Sequence, residues 1–118
     1  MKKYATHNDG YVDVFDAYGT SLKGYINCTY DELVSTFGEP LDGDGYKVDC
    51  EWIIKDVNEG TIATVYNWKN GKNYCGRDGL NAHQIDEWHV GGKTGEAVKF
   101  IADCINEKGF AVHETTRW

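Results

Sequence analysis

Between Tyr46 and Lys55 the chain alternates strictly. Tyr46, Val48, Cys50, Trp52 and Ile54 are apolar, Lys47, Asp49, Glu51 and Lys55 are polar, and Ile53 alone interrupts the polar side. A period of two predicts a strand with one face on a core. After a turn at Asn58-Glu59-Gly60, Thr61 to Trp68 is β-branched and aromatic and apolar on both faces, the pattern of a central strand. Asn70-Gly71 then predicts a tight hairpin returning through Lys72 to Cys75. Tyr11–Ala17 and Ser21–Thr29 also alternate around Tyr18-Gly19-Thr20, which predicts a hairpin near the start of the chain. Ile85 to Val90 reads as a short strand stopped by Gly91-Gly92.

Two segments carry helical signals. Thr29-Tyr30-Asp31-Glu32 is a capping box in which Thr29 and Glu32 satisfy each other's exposed amides. Leu33, Val34 and Phe37 follow as an apolar stripe, and Gly38 and Pro40 stop the helix after about two turns. A second helix is expected from a Thr94 cap, with Val98, Ile101 and Ile105 as its stripe and Ala97 and Cys104 beside it. Gly109 ends it, and Phe110 is placed to pack back. The order β-β-α-β-β-β-β-α, joined by short turns, predicts an α+β domain. Its antiparallel sheet has four to six strands, with two helices packed on one face. Residues 1–118 form a single domain in this reading, with 1–10 a flexible arm and 111–118 a tail or edge strand.

Length and apolar content agree with one ordinary core: 118 residues, 41% apolar, with four Trp, eight Tyr and four Phe. No stretch is long and apolar enough for a membrane helix. Met1-Lys2-Lys3 is followed by no apolar segment, so no signal peptide is expected and the chain is expected to stay in the cytoplasm where it is made. The net charge of −7 disfavours direct binding to nucleic acid or anionic lipid and suits a basic protein surface. Cys28, Cys50, Cys75 and Cys104 are widely separated, with no C-x-x-C pair, and reduced thiols are expected. Cys28, Cys50 and Cys104 fall in apolar periodic segments and read as core residues.

Candidate chemistry is thin. Leu41-Asp42-Gly43-Asp44-Gly45 lacks the alternating acids of a calcium loop, and the twelfth position counted from Asp42 is Ile53. Cys75, His83 and His89 with Asp78 or Asp86 have no close zinc-ligand pair. No base is set beside Cys75 by a local signature, and Asp86-Glu87 beside His89 is the one acid cluster that could do acid–base work. Gly91-Gly92-Lys93-Thr94 could hold an anion at a helix start, but no phosphate-binding fingerprint surrounds it. No cofactor or metal, and no enzymatic activity, is therefore expected.

Several segments carry a resemblance: Gly19-Thr20-Ser21-Leu22-Lys23-Gly24-Tyr25-Ile26, Phe37-Gly38-Glu39-Pro40, Ala63 through Gly76, and Glu87-Trp88-His89-Val90-Gly91-Gly92. Together they resemble a family of short, uncharacterised proteins of tailed bacteriophages, over roughly residues 17–107. The resemblance implies an accessory protein acting in the cytoplasm of a bacterial host, in the manner of anti-CRISPR and other anti-defence proteins. Its implied partner is a host or defence-system protein, bound as a monomer or homodimer. The helix ending at Pro40 before a strand meander also resembles β-lactamase-inhibitor-like modules.

The expected binding surface is the Tyr66–Cys75 hairpin and the neighbouring Glu87–His89 segment. Trp68, Lys69, Asn73, Tyr74, Trp88 and His89 supply contacts there, and Asp42, Asp44 and Asp86 supply charge. The alternative reading is a nucleotide-messenger sponge with a pocket of Trp68, Tyr74, Trp88 and His89, its phosphates met by Lys69, Lys72, Arg77 and Lys93. An unrecognised small enzyme is the third.

Overall fold

In a computed structural model, residues 3–116 are described; Met1, Lys2, Arg117 and Trp118, which belong to the expected arm and tail, lie outside them. The strands are β1 (Tyr4–Thr6), β2 (Ser21–Asn27), β3 (Leu41–Asp42), β4 (Cys50–Asp56), β5 (Ile62–Tyr66), β6 (Glu87–Gly92) and β7 (His113–Thr116). The helices are α1 (Tyr30–Phe37), the single turn α2 (Lys72–Cys75) and α3 (Glu96–Glu107). The sheet runs β1-β4-β5-β6-β2-β7 with β3 beside β4, and every pairing is antiparallel. The α+β class follows as expected, with one strand more than the upper expectation and a third, one-turn helix.

Alternation assigns the two faces. Ile26, Trp52, Ile54, Ala63, Val65, Trp88 and Val90 point to one side, where Leu33 and Phe37 of α1 and Val98, Ile101 and Ile105 of α3 close the core over them. Trp52 and Trp88 meet edge to face at 5.4 Å. The Trp52 indole N–H donates to the Gly38 carbonyl at 2.8 Å, locking the end of α1 to the sheet. The capping box of α1 forms as expected, and Gly38 takes a φ of 85°.

Four expectations are corrected. Tyr11–Ala17 is not a strand: Asp13 and Asp16 cap each other across a short 3-10 turn at Val14–Ala17, and β2 pairs with β6 and β7 instead. The arm is not loose along its length. Tyr4–Thr6 pairs with β4, the Tyr4 hydroxyl donates to the Thr36 carbonyl at 2.7 Å, and Asn8 Nδ2 donates to the Glu39 carbonyl. Gly91-Gly92 does not stop β6 but continues it, because α3 sits on this strand and a Cβ at Gly92 would collide with that of Ala97. Consequently α3 starts one residue beyond Thr94, at a Gly95 cap with no side-chain hydrogen bond. The fourth correction is Asn70-Gly71, which makes no hairpin. Gly71 has an extended φ of −96°, the one left-handed non-glycine residue among the described residues is Lys69 at 60°, and the chain enters α2. A Cβ at Gly71 would collide with the Asp49 carboxylate, so glycine is required there for close approach rather than for a positive φ.

Candidate functional site

The face of the sheet away from α1 and α3 carries a row of polar aromatics. Register places Tyr25 opposite His89, His89 opposite Tyr66, and Tyr66 opposite Glu51, so one line of side chains crosses β2, β6, β5 and β4. The His89 ring meets Tyr25 edge-on at 5.0 Å and stacks on Tyr66 at 5.5 Å. Burial lowers the His89 pKa, and Nδ1 has no hydrogen-bond partner among the described residues. Burial, with Glu51 nearby, raises the Tyr66 phenol; burial, with Asp44 nearby, raises the Glu51 carboxyl.

His89 and Glu51 therefore act on stability in opposite directions. A lowered histidine pKa contributes stability that is present above the unfolded value of 6.5 and lost as pH falls through the folded one. A raised carboxyl contributes stability that is present below 4.5 and lost as pH rises through the folded value. The expected result is that His89→Phe flattens the stability loss between about pH 7 and about pH 5. Urea midpoints measured across that range check it; an unchanged slope would show that His89 is not the group responsible.

Two walls rise beside the row. On one side is the segment Asp9–Thr20, whose Val14–Ala17 turn lies against β4 and β5. It is pinned by the Thr6 N–H donating to the Asp9 carboxylate and by buried Val12. The capped 3-10 turn then presents Val14, Phe15 and Tyr18, which are 51%, 65% and 67% exposed, and Tyr11 just before it is 88% exposed. Phe15 and Tyr18 meet edge to face at 5.3 Å.

The opposite wall is built on Asn67, which is fully buried. Its Oδ1 accepts from the Asp49 and Cys50 amides at 2.7 and 3.1 Å, and its Nδ2 donates to Asp49 and Asn70. Asp44 Oδ1 accepts from the amides of Tyr46, Lys47 and Val48, which holds its carboxyl below the usual range. These clamps present Tyr46, Trp68 and Tyr74 to solvent. Lys47 Nζ lies 5.4 Å and Lys69 Nζ 5.8 Å from the Trp68 ring centre. Between the walls is a groove of about 210 Å³ lined by Thr20, Ser21, Val48, Glu51, Thr64, Tyr66, Trp68 and Gly91.

Of the expected contacts, Trp68, Lys69 and Tyr74 share the second wall. Asn73 instead braces it, its Nδ2 reaching the Val48 carbonyl and its amide the Asp49 carboxylate. Asp44 shapes the same wall, and Asp42 is exposed on β3 opposite Cys50. Asp86 is exposed, and its carbonyl accepts from the Cys28 amide. Trp88 is corrected: it has no exposed surface and lies on the helix side of the sheet, so alternation separates it from His89. The same separation rules out a pocket of Trp68, Tyr74, Trp88 and His89. His83 packs on Tyr30 and lies 3.3 Å from Asp31, and no group of three metal-binding side chains occurs among the described residues. Burial pushes the Cys28 thiol up to about 12 and Cys50 to about 11, far from a nucleophile's range.

Sequence reasoning missed Tyr11, Val14, Phe15, Tyr18, Tyr46 and Lys47. The signal for the first four was the Asp13–Asp16 spacing, a capping pair that competes with strand alternation.

No protein-family model matches the chain, and neither a curated protein nor a solved structure does. No helix of the described residues is long and apolar enough to cross a membrane.

Proposed function

We propose that the protein acts by stoichiometric binding of another protein through the open face of its sheet, occluding that partner without chemistry. The carrying observation is the segment Tyr11–Tyr18, which exposes Val14, Phe15 and Tyr18 on a hydrogen-bonded turn and Tyr11 just ahead of it. Aromatic side chains held in place bury large area at little entropic cost and serve as interface anchors. Asp9, Asp13 and Asp16 are interleaved with them, so the complementary surface is an apolar cleft rimmed by basic residues. Taken with the phage-like motifs, the partner is a bacterial host or defence protein, inhibited as anti-CRISPR proteins inhibit theirs.

Phe15→Ser with Tyr18→Ser tests the reading. Wild type is expected to retain a host protein stoichiometrically from lysate and to relieve a defence system in plaque assays. The double variant loses retention at least tenfold while its melting temperature stays within a few degrees. Retention that survives the double variant would remove this segment from the interface, and recovery of background only would remove the reading.

A second reading is favoured by the cations over Trp68 and Tyr74: stacking of a nucleotide base with its phosphate on Lys47 and Lys69. A thermal-shift series with cyclic nucleotides separates the two, since only a ligand that binds the folded state raises the melting temperature.

A further inference from the structure

Glu51 is half-buried on the groove floor, and no hydrogen bond or ion pair reaches its carboxylate among the described residues. The charged neighbour that acts on it is another carboxylate, Asp44, so its surroundings add repulsion rather than neutralisation. Lys47 and Lys69 lie over the Trp68 ring but do not line the groove, and neither forms an ion pair with Glu51 among the described residues. A desolvated acid without a counter-charge is costly in the free protein and is repaired when a cation arrives. Beside it, the rings of Tyr66 and Trp68 stand at 80° with centres 6.3 Å apart, two aromatic surfaces meeting at a corner. Thr20 and Ser21 line the groove edge and the buried Thr64 its interior; the Ser21 hydroxyl already accepts from Lys23 Nζ at 3.0 Å, which leaves Thr20 and Thr64 as the hydroxyls open to a ligand.

We propose that this groove receives a guanidinium group, the side chain of an arginine presented by the protein partner. This rests on the protein-binding reading above and adds the chemistry that the groove selects. A guanidinium is planar and weakly hydrated, pairs with a carboxylate through two parallel N–H donors, and stacks on aromatic faces. Its remaining N–H groups can be met by the Thr20 and Thr64 hydroxyls. An ammonium is a compact, strongly hydrated charge with neither a planar face to lie along a ring nor a paired donor fork for a carboxylate. An apolar side chain would complete the desolvation of Glu51 without compensating it, and an anion would be repelled. A divalent cation needs several oxygen ligands, and the groove offers one carboxylate.

The probe is N-acetyl-arginine amide, titrated into the full chain and followed by amide and indole NMR shifts. N-acetyl-citrulline amide, its uncharged isostere, and N-acetyl-lysine amide are compared. Saturable millimolar shifts at Thr64, Gly91 and the Trp68 indole are expected for arginine, weaker ones for lysine and none for citrulline. Glu51→Gln, which keeps the shape, should weaken arginine binding about tenfold or more, as should Trp68→Ala. Wild-type affinity should strengthen as pH rises and Glu51 ionises. Equal binding of citrulline, or the absence of saturable shifts at the groove with arginine, overturns the proposal without reference to any variant. If wild type and Glu51→Gln capture a protein partner equally well, the arginine groove falls while the protein-binding reading stands. Loss of that reading would show separately, as capture of background only.

Discussion

Trp88→Ala is expected to destabilise the domain by about 3–5 kcal/mol, a large share of the total stability of a small domain. Trp88 has no exposed surface, packs edge to face on Trp52 at 5.4 Å, and lies 6.4 Å from the Tyr30 ring. Truncation leaves a void between the sheet and α1, with Trp52 and Ile26 on its walls. Neither is free to collapse into it, because Trp52 is tied to the Gly38 carbonyl and Ile26 lies directly across the ladder in β2. Trp68→Ala makes the contrast: that ring is 40% exposed, and its loss should cost about 1 kcal/mol or less. Urea denaturation of the two variants checks both numbers. A Trp88→Ala protein that kept its midpoint and lost only partner binding would return that residue to the interface.

Asn67→Ala is expected to cost about 2–4 kcal/mol, although it removes only a small polar side chain. Asn67 is fully buried, and four hydrogen bonds converge on it. Without it, the Asp49 and Cys50 amides lose their acceptor in a place where water enters poorly, and the penalty is that of orphaned donors. The effect also reaches the surface. Asp49 holds the Asn73 amide, and Asn70 holds the Leu80 amide through its carbonyl, so the loop bearing Trp68 and Tyr74 loses its anchor. Faster hydrogen exchange of the residue 47–50 amides and a red-shifted, more quenchable Trp68 are the expected companions of the stability loss. Asn67→Asp should be worse, because its charge faces Asp49 and replaces a donor with an acceptor. A midpoint within about 0.5 kcal/mol of wild type would show that water replaces the side chain at little cost.

The periodic elements were legible because local rules and tertiary packing agree on them. Thr29 and Glu32 cap α1 through contacts within one turn of helix, so nothing distant is needed to make them. Val98, Ile101 and Ile105 repeat at helical spacing, and Trp52, Ile54, Ala63 and Val65 at strand spacing, so these residues face the core in the structure. Where two local signals competed, the sequence did not decide. Asn70-Gly71 is a strong hairpin dipeptide, yet the buried Asn67–Asp49 network, between residues eighteen apart, holds the chain in another course. Tyr11–Ala17 alternates like a strand, but β2, its expected hairpin partner, is flanked on both sides by β6 and β7, and the Asp13–Asp16 pair takes the turn instead.

The candidate site divides in the same way. Composition alone gave the abundance of aromatics and acids; Trp68 was expected beside a projecting hairpin, and the structure exposes it on a differently folded loop. The sequence left open which face each aromatic occupies, because a neighbouring pair such as Trp88 and His89 must split and only register against β2 and β5 says which goes inward. The groove at Glu51 joins residues from β2, β4, β5, β6, the end of the Asp9–Thr20 segment and the loops before β4 and after β5. Side-chain chemistry along the chain determined the core, the caps and the charge; the long-range strand order, through the cost of burying unpaired backbone, decided which of those side chains meet in one site.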